Sequence, residues 1–380
     1  MHSSVSEPVE ARVVHRLDEC EQPWAGSPTV VGVTDNHYER HPGWPDDVPT
    51  AARDIDGPLR VRGLPDLISI IPYLLGFHPD ESVVIVVCVE GQVALTVRFE
   101  IGDCRHPRAV EARLWAIQAR FASARFVLAA YSDEPRRAHD ALALVEQILE
   151  PDSLLDSVVV GSGRYWSRLC TSEECCPPEG VPFDAASGPM AVRAVVAGLQ
   201  ALPRRSDLER RVALPRGGAV GASRRRYDRV ESAAGGLEWA DRRAGLDELV
   251  DRGLDDPASL SDDDLVELAI RLKDPDLRDR VLVRLDRATA SGHVRLWERV
   301  VRATPREGRV PALCVLALAS WVSGDGALQV VCMCQAERID PGFPLLHLLA
   351  DINATAAPPS IWDRMLVDIA MDMAGGQFGG

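Results

Sequence analysis

The feature that most constrains this chain is the run Val83-Val84-Ile85-Val86-Val87-Cys88-Val89. Seven apolar residues in a row, mostly β-branched, predict a strand buried on both faces. Its neighbours must therefore cover it from two sides. Upstream, Leu64, Leu67, Ile68, Ile71 and Leu75 recur at helical spacing, with Pro65 suited to a first turn and Gly76 to the stop. Pro72 inside that run predicts a kink or a split. Downstream, Glu90-Gly91-Gln92 supplies a turn. Val93, Leu95, Val97 and Phe99 then alternate with Ala94, Thr96 and Arg98, which predicts a strand with one core face and one wetter face. Helix, buried strand and second strand form one nucleus to which later elements add.

The pattern from 107 to 170 alternates helix and strand. Pro107 to Phe121 carries Val110, Leu114, Ile117 and Phe121 on one side of a helix. Ala124 to Tyr131 reads as a buried strand, Pro135 to Leu149 as a helix, and Asp156 to Val160 as a further strand turned by Gly161-Ser162-Gly163. Arg164 to Leu169 follows as a fifth strand, then the loop CTSEECCPPEGVPFD and a closing helix over 188–202. This alternation predicts an α/β domain, with a mixed sheet because the first two strands look like a hairpin. From Leu237 onward the periodicity is helical throughout. Ser261 before Asp262-Asp263-Asp264, Asp274 before Pro275, and Asp325 after Gly324 all suit helix starts. Residues 311–322 are apolar nearly all round, which predicts a central helix. The expected organisation is a disordered or loosely attached arm at 1–58, an α/β domain at 59–203, a basic linker at 204–236, an all-α helical domain at 237–374 and a frayed tail at 375–380. The linker reading rests on nine arginines against three acids between Arg204 and Arg229.

A formal net charge of −15 opposes polyphosphate backbones, so nucleic acid is an unfavoured partner. No stretch approaches the ~20 apolar residues of a membrane span, and no signal peptide is visible at the N-terminus, so the expectation is a cytoplasmic chain with no membrane partner. In that compartment the nine cysteines would be mostly reduced rather than paired. Trp321, Gly324, Asp325 and Ala327, followed by Asp340-Pro341, resemble half of a tetratricopeptide unit. No second copy follows at that period.

Three ordered motifs carry a wider resemblance. They are Asp66-Leu67 with Pro72-Tyr73-Leu74-Leu75-Gly76-Phe77-His78-Pro79 and Ser82-Val83; Trp166-Ser167 with Cys170 and Cys175-Cys176-Pro177-Pro178-Glu179-Gly180; and Gly324-Asp325-Gly326-Ala327-Leu328. Together, over roughly Leu64 to Trp362, they resemble an actinobacterial family, domain of unknown function 4192. The resemblance implies no activity. Where that family tends to show Arg-x-Asp-Leu-Pro, this chain has Arg98-Phe99-Glu100-Ile101-Gly102.

Two clusters hold residues suited to chemistry. His78, Asp80 and Ser82, just before the buried strand, are the residue types of an acid–base site; a helix stop with local turn bonds is the plainer account. Cys170, Cys175 and Cys176 offer thiolates to a metal such as zinc, with His78 or Asp184 as a fourth ligand, or a redox-labile vicinal pair; packed structural thiols are the plainer account. No phosphate loop, dinucleotide fingerprint, zinc-protease helix or nucleophile elbow occurs. The basic stretch has only Tyr227 as an aromatic, which suits a solvated linker, or one paired with the acidic helices after it, better than a nucleic-acid surface.

Three readings follow. The chain is a non-catalytic interaction or regulatory protein with a protein partner on its helical domain; or it is a hydrolase or transferase with a site where the 78–82 and 170–176 loops meet; or it is a zinc-stabilised binding module. Substrate, partner and oligomeric state are not written in these patterns.

Overall fold

The computed structural model describes residues 29–31, 63–89, 92–105, 107–186, 188–197, 199–214 and 216–375. The chain divides into two compact units, one spanning Pro28–Asp207 and one from Leu208 onward. The arm expected at 1–58 lies outside the described residues apart from Thr29–Val31, and the tail expected at 375–380 lies outside them apart from Gly375.

The first unit is built on a seven-stranded mixed sheet. Its strands are β1 (Thr29–Val31), β2 (Ser82–Val89), β3 (Gln92–Glu100), β4 (Arg125–Tyr131), β5 (Leu154–Gly161), β6 (Arg164–Ser167) and β7 (Val181–Pro182), in the spatial order β1-β3-β2-β4-β5-β6-β7. Its helices are α1 (Leu64–Leu75), α2 (Pro107–Arg120), α3 (Pro135–Glu146) and α4 (Pro189–Val196). The apolar run occupies β2, between β3 and β4, and Val83 to Val87 are each 0% exposed. Residues of both parities are buried, so both faces of the strand are covered. β4 and β5 run parallel and α3 connects them, packing against both. Every other pairing is antiparallel.

Four local expectations are corrected here. Pro72 does not break α1, which runs continuously from Leu64 to Leu75 and ends on Gly76 in the left-handed conformation (φ 74°). The wetter face expected of β3 is buried: Thr96 is 1% exposed and Arg98 5%. Arg98 pairs with Glu100 at 2.8 Å and stacks its guanidinium over the Phe77 ring at 5.5 Å, which partly offsets the cost of burying the charge. β1 adds to the outer edge of β3, opposite Thr96 to Arg98, so part of the expected arm is a strand. β7 likewise emerges from the segment expected to be wholly loop, with Val181 opposite Tyr165.

Helices make up the second unit: α6 (Gly218–Ala234), α7 (Trp239–Asp255), α8 (Asp262–Arg271), α9 (Pro275–Leu282), α10 (Ala290–Ala303), α11 (Val310–Val322), α12 (Gly326–Glu337), α13 (Pro344–Ala354) and α14 (Ser360–Gly375), with α5 (Arg205–Arg211) spanning the boundary at Leu208. Every residue of α11 is buried, because α10, α12 and α13 all pack on it. The stretch 204–236 carries two helices instead of a linker. Tyr227 and Val230 lie one helical turn apart and pack against Val266 and Ile270 of α8 and Ala303. The arginines on the same helix meet the acids that open α8: Arg229 pairs with Asp263 at 2.8 Å and Arg226 with Asp262 at 2.9 Å. The predicted starts hold as well. Ser261 and Asp264 form a reciprocal capping box, Asp274 accepts from the Asp276 amide, and Asp325 accepts from the Leu328 amide at 2.9 Å. No helix of the described residues is long and apolar enough to cross a membrane.

Candidate functional site

β2 is antiparallel to β4, so the start of β2 and the end of β4 lie at the same edge; Ser82 stands opposite Tyr131. The end of β5 lies there too, since Tyr131 is in register with Val160. Carboxyl ends of parallel strands are where open α/β sheets leave crevices. Here the crevice is a cleft of about 470 Å³ lined by His78, Asp80, Asp133, Gly161, Phe183 and Asp184, among others.

Each loop around it is held by its own side chains. Glu81 adopts a left-handed φ of 43°, unusual for a residue with a side chain. Its carboxylate takes the Ser132 hydroxyl at 2.6 Å and the Arg137 guanidinium at 2.8 Å. The Ser132 hydroxyl in turn accepts the Glu134 amide at 3.0 Å. Asp133 accepts the amide of Ser162 at 2.8 Å and its hydroxyl at 3.1 Å, tying the end of β4 to the β5–β6 turn. Gly161 permits the close approach, because a Cβ there would lie 2.2 Å from the Ser132 carbonyl oxygen. The His78 amide donates to the Leu202 carbonyl at 2.9 Å, and the Leu202 amide to the Gly76 carbonyl at 2.8 Å. Burial holds the His78 imidazole below its ordinary pKa, outweighing the opposing pull of Asp184.

Of the predicted acid–base trio, His78 and Asp80 face this cleft and Ser82 does not. Ser82 is 0% exposed within β2, and its hydroxyl donates to the Asp80 carbonyl, as in the plainer turn account. Ser132 and Asp133 escaped the sequence reading. Their signal was the string Tyr-Ser-Asp-Glu-Pro, polar residues placed directly after a buried strand and before a helix start.

The cysteines are gathered elsewhere in the same unit. Their ligand atoms lie within 4.8 Å of one another, with 2.9 Å from Cys170 Sγ to Cys175 Sγ and 3.8 Å from Cys175 Sγ to Cys176 Sγ. Among the described residues neither His78 nor Asp184 joins that group, so the fourth ligand expected from them is not supplied. The two predicted clusters do not meet either. β6 starts beside Gly161 but runs away from the cleft, with Ser167 opposite Val158 and the Arg168 amide on the Ser157 carbonyl at 2.7 Å. None of the three cysteines lines the cleft. Beyond the loop, the chain returns past Gly180, whose φ of 81° and contact with the Trp166 indole leave no room for a side chain.

The helical unit contains a smaller opening, of about 380 Å³, lined by Arg210, Ala213, Leu214, Arg216 and Arg302.

These features define a two-unit protein: a mixed α/β sheet with a carboxylate-bearing cleft at its strand ends and a separate thiol cluster, followed by an all-helical unit. The chain belongs to the DUF4192 family, a domain of unknown function, which matches residues 65–360 and so takes in parts of both units. No curated protein and no solved structure matches it.

Proposed function

We propose that this chain is a non-catalytic regulatory protein of the cytoplasm whose α/β unit takes a small organic cation in the cleft. The observation that carries this reading is the chemistry of the wall. Asp80, Asp133 and Asp184 contribute carboxylates, His78 contributes a neutral imidazole, and no arginine or lysine lines the cleft among the described residues. Phe183 adds an aromatic ring, which favours an organic cation over a bare metal ion. The hydroxyls of Ser82 and Ser132 are committed to structure: Ser82 to the Asp80 carbonyl, Ser132 to Glu81 and Glu134. That leaves binding as the cleft's best-supported use. On this reading the helical unit serves a protein partner.

Isothermal titration of the intact chain with choline, arginine and spermidine tests the reading, with acetate and inorganic phosphate as comparisons. At least one cation should bind saturably, weakened about tenfold or more in D80N and D184N, a loss of ~1.4 kcal/mol. No response to any of the cations, or equal affinity in both variants, would refute it.

One observation favours a second reading, a hydrolase or transferase with His78 as base. Its imidazole is partly buried and lines the cleft together with Asp184, whose charge acts on it against the effect of burial. Hydrolysis of nitrophenyl esters that disappears in H78Q would support that reading over the first.

A further inference from the structure

We infer that Cys170, Cys175 and Cys176 bind one zinc ion through three thiolates, leaving its fourth position to solvent. The site is independent of the cleft and of its ligand.

Three observations carry this. The first is convergence. The Cys176 amide donates to the Ser172 carbonyl at 2.9 Å, and the Cys175 thiol lies 3.6 Å from the same oxygen. The loop thus winds around one carbonyl and turns all three sulfurs to one side. With Zn–S bonds of ~2.3 Å, two thiolates on a tetrahedral ion stand roughly 3.8 Å apart. The Cys175–Cys176 separation is 3.8 Å, while the Cys170–Cys175 pair, at 2.9 Å, has to open by about 0.9 Å to take the ion.

The second is exposure. Cysteines that serve packing in this chain, such as Cys314 and Cys332, are 0% exposed inside the helical unit. Cys175 is exposed and its two neighbours are half-exposed. An ion held there would keep one face open to water, as three-ligand zinc sites do.

The third is charge. A reactive thiolate is normally stabilised by a nearby cation. Carboxylates lie close to this cluster: Asp156 accepts the Ser167 hydroxyl at 2.7 Å, that hydroxyl takes the Cys170 amide, and Glu173 and Glu174 lie within the loop itself. The nearest arginines in sequence are engaged elsewhere, Arg168 with Glu146 at 2.8 Å and Arg164 with the Gly180 carbonyl at 2.7 Å. A dication is what this field lacks. On binding, three Zn–S bonds form, the thiol protons pass to solvent with water released from the ion, and no electrons move.

The loop is also pre-shaped by contacts that need no metal. The Trp166 indole donates to the Pro178 carbonyl at 3.1 Å, and the Ser167 hydroxyl accepts the Cys170 amide at 3.0 Å. Both ends of the cysteine loop are therefore pinned to β6.

The test uses the full chain, purified without a His-tag from zinc-supplemented medium and analysed by elemental mass spectrometry. About one zinc per chain is expected, with affinity falling at least ~10-fold in C175S and C176S and unchanged in C88S. Cobalt(II) loading should give thiolate-to-metal charge-transfer absorption. In case the serine variants fail to fold, alkylation of the wild-type protein reads the same site: added zinc should protect Cys170, Cys175 and Cys176 from iodoacetamide and leave other exposed thiols reactive. The inference is overturned if reduced protein takes up only traces of zinc, if protection maps to other cysteines, or if the purified chain instead holds a Cys170–Cys175 disulfide that reduction opens without restoring metal uptake.

Discussion

The Tyr131 hydroxyl donates to the Ile68 carbonyl at 3.5 Å, in the buried space between β4 and α1. That carbonyl lies four residues before Pro72, which has no N–H to offer it. The phenol therefore replaces the helical bond that the proline removes, and α1 continues to Leu75. Y131F should destabilise the chain by about 1 kcal/mol, because a buried acceptor loses its partner. In a P72A background, where the residue-72 amide can reach Ile68 directly, the same change should cost measurably less. A urea-unfolding double-mutant cycle checks this, and equal costs in the two backgrounds would remove the compensation argument.

Gly161 is a second point where backbone packing shapes the cleft. Any side chain there meets the Ser132 carbonyl oxygen at 2.2 Å, and that oxygen belongs to the main chain, so it cannot swing aside. G161A should cost on the order of 1–3 kcal/mol as an overpacked strand end. G102A provides the comparison, since a Cβ there has nothing within 4 Å. Thermal unfolding of the two variants should separate them clearly.

The sheet was legible in the sequence because its central strand is apolar without interruption, and such a run permits few alternatives. The site was less legible, for reasons of distance along the chain. Asp133 and Ser162 meet across 29 residues through the parallel β4–β5 register, and no local pattern encodes that pairing. Ser82 illustrates the opposite error. Its residue type and neighbours suggested chemistry, but the first position of a buried strand turned its hydroxyl onto the Asp80 carbonyl. The basic stretch misled through composition. Counting arginines hid the spacing of Tyr227 and Val230, which is what makes residues 218–234 a packed helix.

At the start of α8 two kinds of polar contact can be compared. Ser261 and Asp264 satisfy each other's backbone amides, whereas Arg229 and Asp263 form an exposed ion pair. S261A should cost about 1 kcal/mol, because it orphans a helix N–H. R229A should cost less than S261A, and its effect should shrink further in high salt. Denaturant titrations at low and high ionic strength distinguish the two. A salt-independent loss at Arg229 larger than that at Ser261 would contradict this ranking.

His293 contributes to the acid sensitivity of the helical unit. It is 0% exposed, its Nδ1 accepts the Trp297 indole N–H at 3.1 Å, and burial lowers its pKa to about 4. In the unfolded chain the imidazole returns to its ordinary value near 6.5. Above that pH both states are neutral and the residue favours neither. Below it the unfolded state takes up a proton that the folded state refuses, so stability falls with pH until the folded group titrates at about 4. Between pH 7 and pH 5 the loss from this one group should be about 2 kcal/mol. H293Q removes the titrating group, so its stability should fall less over that interval than that of the parent chain, even if the variant is weaker at pH 7 for want of the Trp297 bond. Parallel pH profiles for the two proteins would mean that His293 protonates freely in the folded state, and the buried, neutral imidazole would have to be abandoned.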